Sequence, residues 1–348
     1  MNKTALTKTY TKDIQNSCLN SKKIVLSLAT ISFLASCTHA TLTPEIETYE
    51  EATNRHTKAR SGVRSTNSNN KTINNLQTST KTISGTGNTL VIESSGTITI
   101  SNGGQQAVNF QPNSSTSTFL NKGTLIGGNN TASVQLGANG NNGVNIETFD
   151  NQGTIGNGSS KFGVTVFFGG GGKDNSKSII NNFSNSGTIH SNAGESIYFG
   201  NAKISSFVNS GTIKSNQGAG VNISQGTSIE NFNNTGTIEG KKDGIQINTN
   251  VNVKTLKNTG TIKGHAISIR LNGTIDQLIN EGIVDGESAG IYMSGGRVKT
   301  LTNKGTINQN NSANWAAGIK LQNNSTIENI INTGSIHSNA FGISVTGG

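Results

Sequence analysis

Hydrophobic positions recur at fixed places in a short phrase, in which an apolar residue is followed by x-Asn-x-Gly-Thr-Ile, and this phrase fills most of the chain. One copy runs from Phe183 to Ile189, and the next runs from Phe207 to Ile213. The glycines of successive copies lie 22 to 34 residues apart between Gly123 and Gly334. A repeat of this length predicts a solenoid, in which each repeat forms one coil and covers the apolar face of its neighbour.

Two further elements lie between the copies of the phrase. One is Gly-apolar-polar-apolar, as from Gly244 to Ile247, and the other is apolar-x-x-apolar directly before the Asn, as at Ile229 and Phe232. Alternation with a period of two is typical of a strand with one buried face. We therefore predict an all-β fold, a right-handed single-stranded parallel β-helix with three strands per coil and about ten coils at ~4.8 Å spacing, over residues 81–348. Coils of uneven length favour this architecture over left-handed helices with short rigid repeats.

The asparagine of the phrase is expected to end the third strand of each coil. Stacked asparagine amides can bond along a column, and asparagine tolerates the left-handed geometry of tight turns. We predict a structural turn ladder, and a row of ligand-binding amides is the alternative. The ladder would comprise Asn121, Asn151, Asn185, Asn209, Asn234, Asn258, Asn280, Asn303 and Asn332.

The first part of the chain has the features of an export signal. Residues 1–36 contain an apolar run from Ile24 to Ala35, which is too short to span a bilayer and suits a signal peptide. The run ends in Leu34-Ala35-Ser36-Cys37, which resembles the bacterial lipobox, so lipidation of Cys37 is expected. The alternative is an ordinary leader cut after Ala40. Because the other cysteine, Cys18, lies inside the leader, no disulfide is expected after processing.

Residues 37–80 are rich in Thr, Asn and Ser and have almost no aliphatic pattern, so we predict a flexible tether. The repeats then continue to the last residues, and the chain is expected to stop within a coil. Further coils are expected after Gly348. Longer inserts, at 156–177 and 308–317, are expected to project from the coils.

The net charge of +9 raises the possibility of nucleic-acid binding. The chain from Cys37 onward has 22 basic and 17 acidic residues, which gives +5. Its basic residues are scattered singly, and only 5% of all residues are aromatic, so few rings could stack on bases. Nucleic acid is therefore not an expected partner.

Candidate chemistry is sparse. His190 and His337 stand in similar contexts but would lie six coils apart, roughly 29 Å, so they cannot share a metal ion. No metal and no cofactor are expected. Some parallel β-helices cleave glycans with paired carboxylates, which makes one cluster of turn residues a candidate. Its members follow the Gly-Thr-Ile strand on three neighbouring coils and are Lys241, Lys242, Asp243, His265, Asp285 and Glu287. Solvated turn charges are the alternative explanation, and no enzyme is expected.

With its long leader, its lipobox at Leu34 to Cys37 and its Asn-x-Gly-Thr-Ile coils, the chain resembles the passenger region of a type V autotransporter. It is most similar to the Campylobacter lipoprotein autotransporter family of adhesins. The resemblance implies a membrane anchor through the lipid on Cys37 and a surface adhesin or scaffold that contacts a host-cell protein or glycan. In that family a C-terminal translocator barrel follows the coils, and since the sequence contains none, the resemblance implies a fragment or a truncated product. It implies the outer membrane or cell surface if a barrel completes the chain, and a periplasmic lipoprotein if none does. A glycan-cleaving or glycan-binding β-helix is the alternative.

Overall fold

The computed structural model describes residues 70–101, 103–138, 142–156, 160–166, 177–311 and 316–347. The predicted signal peptide, Cys37 and most of the predicted tether lie outside the described residues. So do the central parts of the two predicted inserts, at 157–159, 167–176 and 312–315.

The described residues form strands and turns, with no helix among them. The strands form three parallel sheets of 11 strands each, and every coil contributes one strand to each sheet. This is a right-handed parallel β-helix with three strands per coil, as predicted from the repeat.

The strands follow one another around the coil from sheet A to sheet B to sheet C. Sheet A contains β1 (Asn70–Ile73), β4 (Asn88–Ile92), β7 (Ser115–Asn121), β10 (Asn145–Asn151), β13 (Ser178–Asn185), β16 (Ala202–Asn209), β19 (Ser228–Asn234), β22 (Asn252–Asn258), β25 (Thr274–Asn280), β28 (Arg297–Asn303) and β31 (Thr326–Asn332). Sheet B contains β2 (Leu76–Gln77), β5 (Thr97–Thr99), β8 (Thr124–Ile126), β11 (Thr154–Ile155), β14 (Thr188–Ser191), β17 (Thr212–Ser215), β20 (Thr237–Gly240), β23 (Thr261–Gly264), β26 (Ile283–Gly286), β29 (Thr306–Gln309) and β32 (Ser335–Ser338). Sheet C contains β3 (Lys81–Ile83), β6 (Val108–Phe110), β9 (Ala132–Leu136), β12 (Phe162–Val166), β15 (Ile197–Phe199), β18 (Val221–Ile223), β21 (Asp243–Ile247), β24 (Ile267–Leu271), β27 (Ala289–Ser294), β30 (Ala317–Gln322) and β33 (Phe341–Thr346).

The strand register places equivalent repeat residues directly over one another. Phe183 pairs with Phe207, and Phe207 pairs with Phe232 in the next coil. The side chains of the five phenylalanines at this position form a stack, with ring centroids 4.3 to 5.2 Å apart. The column continues in later coils as buried leucines. Its buried members in chain order are Leu90, Phe119, Phe149, Phe183, Phe207, Phe232, Leu256, Leu278 and Leu301.

The corner between sheets A and B requires glycine because the coils approach closely there. A Cβ atom on Gly236 would lie 2.1 Å from the carbonyl oxygen of Gly211 in the preceding coil. Any side chain at this position would push the two coils apart. The Gly of the repeated phrase is therefore a condition for coil stacking.

The first coil begins at Asn70, so residues 70–80 of the predicted tether belong to the β-helix. Few apolar residues mark this coil, since Ile73 and Ile83 are buried but Leu76 is exposed. The sets of three strands are complete through β33, which gives eleven coils. Phe341 and Val345 of the last coil are exposed because no described residue covers them. Continuation beyond Gly348 stays a prediction.

Candidate functional site

The structure brings the nine predicted asparagines into one column at the end of the sheet A strands. The side-chain nitrogen of each of the first eight donates a hydrogen bond to the side-chain oxygen of the next, over 2.7 to 2.9 Å. In Asn234 the same nitrogen also donates to the carbonyl oxygens of Gly236 and of Thr261 in the following coil, each at 3.2 Å. The asparagine side chains of the column are therefore bonded to one another and to the backbone of the next coil.

Burial makes most of the asparagine column inaccessible to a ligand. Eight of the nine asparagines are buried, and Asn332 in the last coil is exposed. The column starts at Asn121 because the equivalent residue of the preceding coil is Ile92. The side-chain oxygen of Asn121 consequently has no hydrogen-bond partner although it is buried. Ligand contact must be sought on the outside of the β-helix.

An external groove runs along the corner that follows the strands of sheet B, and we call it the sheet B groove. It encloses about 490 Å³ and crosses the five coils from β17 to β29. Two rows of outward side chains line it, and one buried residue in each coil separates them. These buried residues are Ser215, Gly240, Gly264, Gly286 and Gln309. The first row is Lys214, Glu239, Lys263 and Asp285, which are register partners, and the second row is Asn216, Lys241, His265, Glu287 and Asn310.

Every carboxylate in the sheet B groove already has a partner. Glu239 forms an ion pair with Lys214 at 3.4 Å, and Glu287 contacts Nδ1 of His265. The side-chain nitrogen of Asn310 donates a hydrogen bond of 2.6 Å to Asp285. No described residue forms a side-chain hydrogen bond or ion pair with the ammonium groups of Lys241 and Lys263. The groove therefore offers two unpaired cations and three paired anions.

The structure brings together four members of the predicted turn cluster and separates the other two. Lys241, His265, Asp285 and Glu287 line the groove, whereas Lys242 and Asp243 do not. Asp243 already belongs to β21, the next strand of the coil, and its side chain points toward sheet C. The sequence reasoning also missed Lys214, Glu239 and Lys263. The period-two alternation after the buried Ile of Gly-Thr-Ile would have identified them as outward residues.

The buried Asp243 forms an ion pair with the partly exposed Arg270 on sheet C. Its carboxylate accepts hydrogen bonds from Nε and Nη2 of Arg270 at 2.8 and 3.3 Å, and the guanidinium group lies 5.2 Å from the centre of the Tyr292 ring. Burial raises the pKa of Asp243, while the hydrogen bonds and charge of Arg270 act in the opposite direction. The pair holds three adjacent coils together across sheet C.

Replacement of Arg270 by leucine is expected to destabilise the protein by about 2 kcal/mol at neutral pH, because it leaves a buried carboxylate unpaired. Since the pKa of Asp243 is raised in the folded state, the folded state binds its proton more tightly than the unfolded state does. The carboxyl therefore favours folding when protonated, and this advantage is lost as the pH rises through the folded pKa. The penalty of Arg270→Leu should shrink on acidification, as measured by urea denaturation at several pH values.

The matched control for this prediction is the double variant Arg270→Leu with Asp243→Asn. It removes the charge that Arg270 neutralises, so it should recover most of the lost stability at neutral pH. An equal loss at every pH, with no recovery in the double variant, would show that Arg270 acts through packing alone.

The two predicted histidines lie far apart along sheet B. His190 is in β14 and His337 is in β32, six strands away in the sheet order. Within the described ranges, no group of three or more His, Cys, Asp or Glu side chains has the arrangement needed to hold a metal ion. The same residues contain no helix of the length and hydropathy needed to cross a membrane.

No protein-family model, curated protein or solved structure matches the chain. The fold, the sheet B groove and the features of the sequence are therefore the basis for a proposed function.

Proposed function

We propose that the protein is an exported, lipid-anchored adhesin that binds a cell-surface glycan through the sheet B groove and catalyses no reaction. The observation that carries this proposal is the groove itself, because five successive coils there present charged and amide side chains to solvent. The sequence supports export through the apolar run before Cys37 and the resemblance of Leu34 to Cys37 to a lipobox.

The interior of the β-helix favours an external binding site. The core is filled by apolar columns, and apart from the buried side-chain oxygen of Asn121 the asparagine column uses its own hydrogen-bonding groups, so the described interior offers no site for a ligand. A ligand must lie along the surface. Coils follow one another at ~4.8 Å, which is close to the length of one pyranose residue, so an extended sugar chain could contact successive coils.

The arrangement of carboxyl groups favours binding over glycan cleavage. A hydrolase needs a proton donor and a second carboxylate on either side of the scissile bond. Asp243, whose pKa is raised by burial, is paired with Arg270 outside the groove. The groove carboxylates Asp285 and Glu287 accept contacts from Asn310 and His265. We therefore propose that these residues shape a binding surface.

A cell-retention assay tests the proposed function. We expect the purified full-length chain to be retained on host-type epithelial cells. The double variant Asn216→Trp with Asn310→Trp should reduce retention about tenfold, because the bulky rings fill both ends of the groove. Asn231→Trp is the control, since Asn231 is exposed on sheet A away from the groove.

Two outcomes would contradict the proposal. Absence of retention for the unmodified chain would remove the adhesive function. Equal retention of the groove-filled variant and the unmodified chain would show that the sheet B groove is not the binding surface. Circular dichroism establishes that each variant keeps its β structure before the comparison is made.

A further inference from the structure

Lys241 and Lys263 lie on adjacent coils and on opposite rows of the sheet B groove. Lys263 pairs in register with Glu239 of the preceding strand and with Asp285 of the following strand. Both of those carboxylates interact elsewhere, Glu239 with Lys214 and Asp285 with Asn310. Neither carboxylate forms an ion pair with Lys263, so its ammonium group is left without a partner among the described residues.

The ammonium group of Lys241, on the second row, also has no partner among the described residues. Its row neighbour His265 contacts Glu287, so that carboxylate is also occupied. The backbone nitrogen of Lys241 donates to the carbonyl oxygen of Ser215, which fixes the backbone at the edge of the groove. The two unpaired ammonium groups therefore project from neighbouring coils into one groove.

Because the carboxylates of the groove have partners and two of its lysines do not, the groove favours an anionic ligand over a cationic or neutral one. A cationic ligand would share the groove carboxylates with the contacts that they already make to Lys214, His265 and Asn310, and it would meet Lys241 and Lys263 as like charges. An anionic group could interact with Lys241 and Lys263 without breaking an existing contact, and a charge-assisted hydrogen bond is stronger than a neutral one. A neutral sugar would leave both ammonium groups unused.

We infer that the sheet B groove binds an acidic glycan, in which a carboxylate or sulfate group is held by Lys241 and Lys263. This inference rests on the proposed glycan-binding function and specifies its ligand class. The amide side chains of Asn216 and Asn310, at the two ends of the groove, provide donors and acceptors for sugar hydroxyls. The groove holds three lysines and three carboxylates, so recognition depends on this local pair and not on its total charge.

Isothermal titration calorimetry with the full-length chain tests the inference. The probes are tetragalacturonate, a heparin-derived tetrasaccharide and the neutral cellotetraose. We expect an acidic tetrasaccharide to bind at least about tenfold more tightly than cellotetraose. Lys241→Gln with Lys263→Gln should weaken that binding about tenfold, because two charge-assisted contacts are lost. The two acidic probes separate carboxylate from sulfate recognition.

The matched control is Lys254→Gln with Lys299→Gln, which removes two exposed charges from sheet A and should leave the affinity within about twofold of the unmodified chain. Equal binding of acidic and neutral tetrasaccharides would overturn the inference, as would unchanged affinity in the Lys241 and Lys263 double variant. Equal binding of poly-glutamate would contradict the glycan class. If this double variant keeps normal cell retention while the groove-filled variant loses it, the inference fails and the proposed function stands.

Discussion

We expect the replacement of Asn234 by alanine to destabilise the β-helix by about 3 to 5 kcal/mol, because several buried polar groups lose their partners at once. The side-chain nitrogen of Asn234 donates to Gly236, Asn258 and Thr261, and its oxygen accepts from Asn209 over 2.7 Å. Alanine cannot replace any of these contacts. Both neighbouring asparagines are buried in the unmodified chain, so solvent has little access to the groups that lose their partners.

The matched control is Asn231→Ala, three residues earlier on β19. Asn231 is exposed on the outside of sheet A, whereas Asn234 is buried. The two variants remove the same atoms from the same strand, so their difference isolates the buried column. We expect Asn231→Ala to change stability by no more than about 0.5 kcal/mol.

Thermal denaturation followed by circular dichroism measures the effect, with hydrogen exchange as a local readout. Each coil contacts only its neighbours, so the loss should be concentrated in the coils beside Asn234 and protection should fall there first. Similar midpoints for the two variants would mean that the column contributes little to stability. The hydrogen bonds of the column would then be replaceable by solvent.

The fold was predictable because parallel, in-register stacking makes every coil repeat the same inward residues. Phe207 lies over Phe183 and under Phe232, and the same periodicity is visible in the sequence. The first coil was not predicted because it lacks the x-Asn-x-Gly-Thr-Ile phrase. At the position of the column asparagine it has Ile73, and only two of its apolar side chains are well buried.

The sheet B groove was less predictable because outward residues do not repeat the same residue type from coil to coil as inward residues do. Like charges in register would lie at ~4.8 Å and repel, so charged columns change sign where apolar columns keep their identity. Lys214, Glu239, Lys263 and Asp285 alternate along sheet B in this way. No repeat marks such a column in the sequence. Asp243 was predicted to belong to the turn cluster because it follows Lys242 directly, but the next strand begins at that residue.

Replacement of Phe207 by alanine is expected to destabilise the protein by about 3 to 5 kcal/mol, because it leaves a cavity inside the phenylalanine stack. The ring of Phe207 lies between those of Phe183 and Phe232, at centroid distances of 5.2 and 4.3 Å, and meets Phe199 edge-on at 5.9 Å. The backbone ladders on both sides keep the coils at their spacing. The coils therefore cannot collapse to fill the space.

Leucine at position 207 provides the control, since the same column changes from Phe232 to Leu256 within the chain. Phe207→Leu keeps the column filled with an apolar side chain, so the expected cost is only about 1 kcal/mol. Chemical denaturation of the two variants and the unmodified chain measures both values. A loss for leucine as large as that for alanine would show that ring stacking, and not volume, stabilises the column. A small loss for both would mean that the coils adjust around the missing ring, which would require the strand register of sheet A to relax.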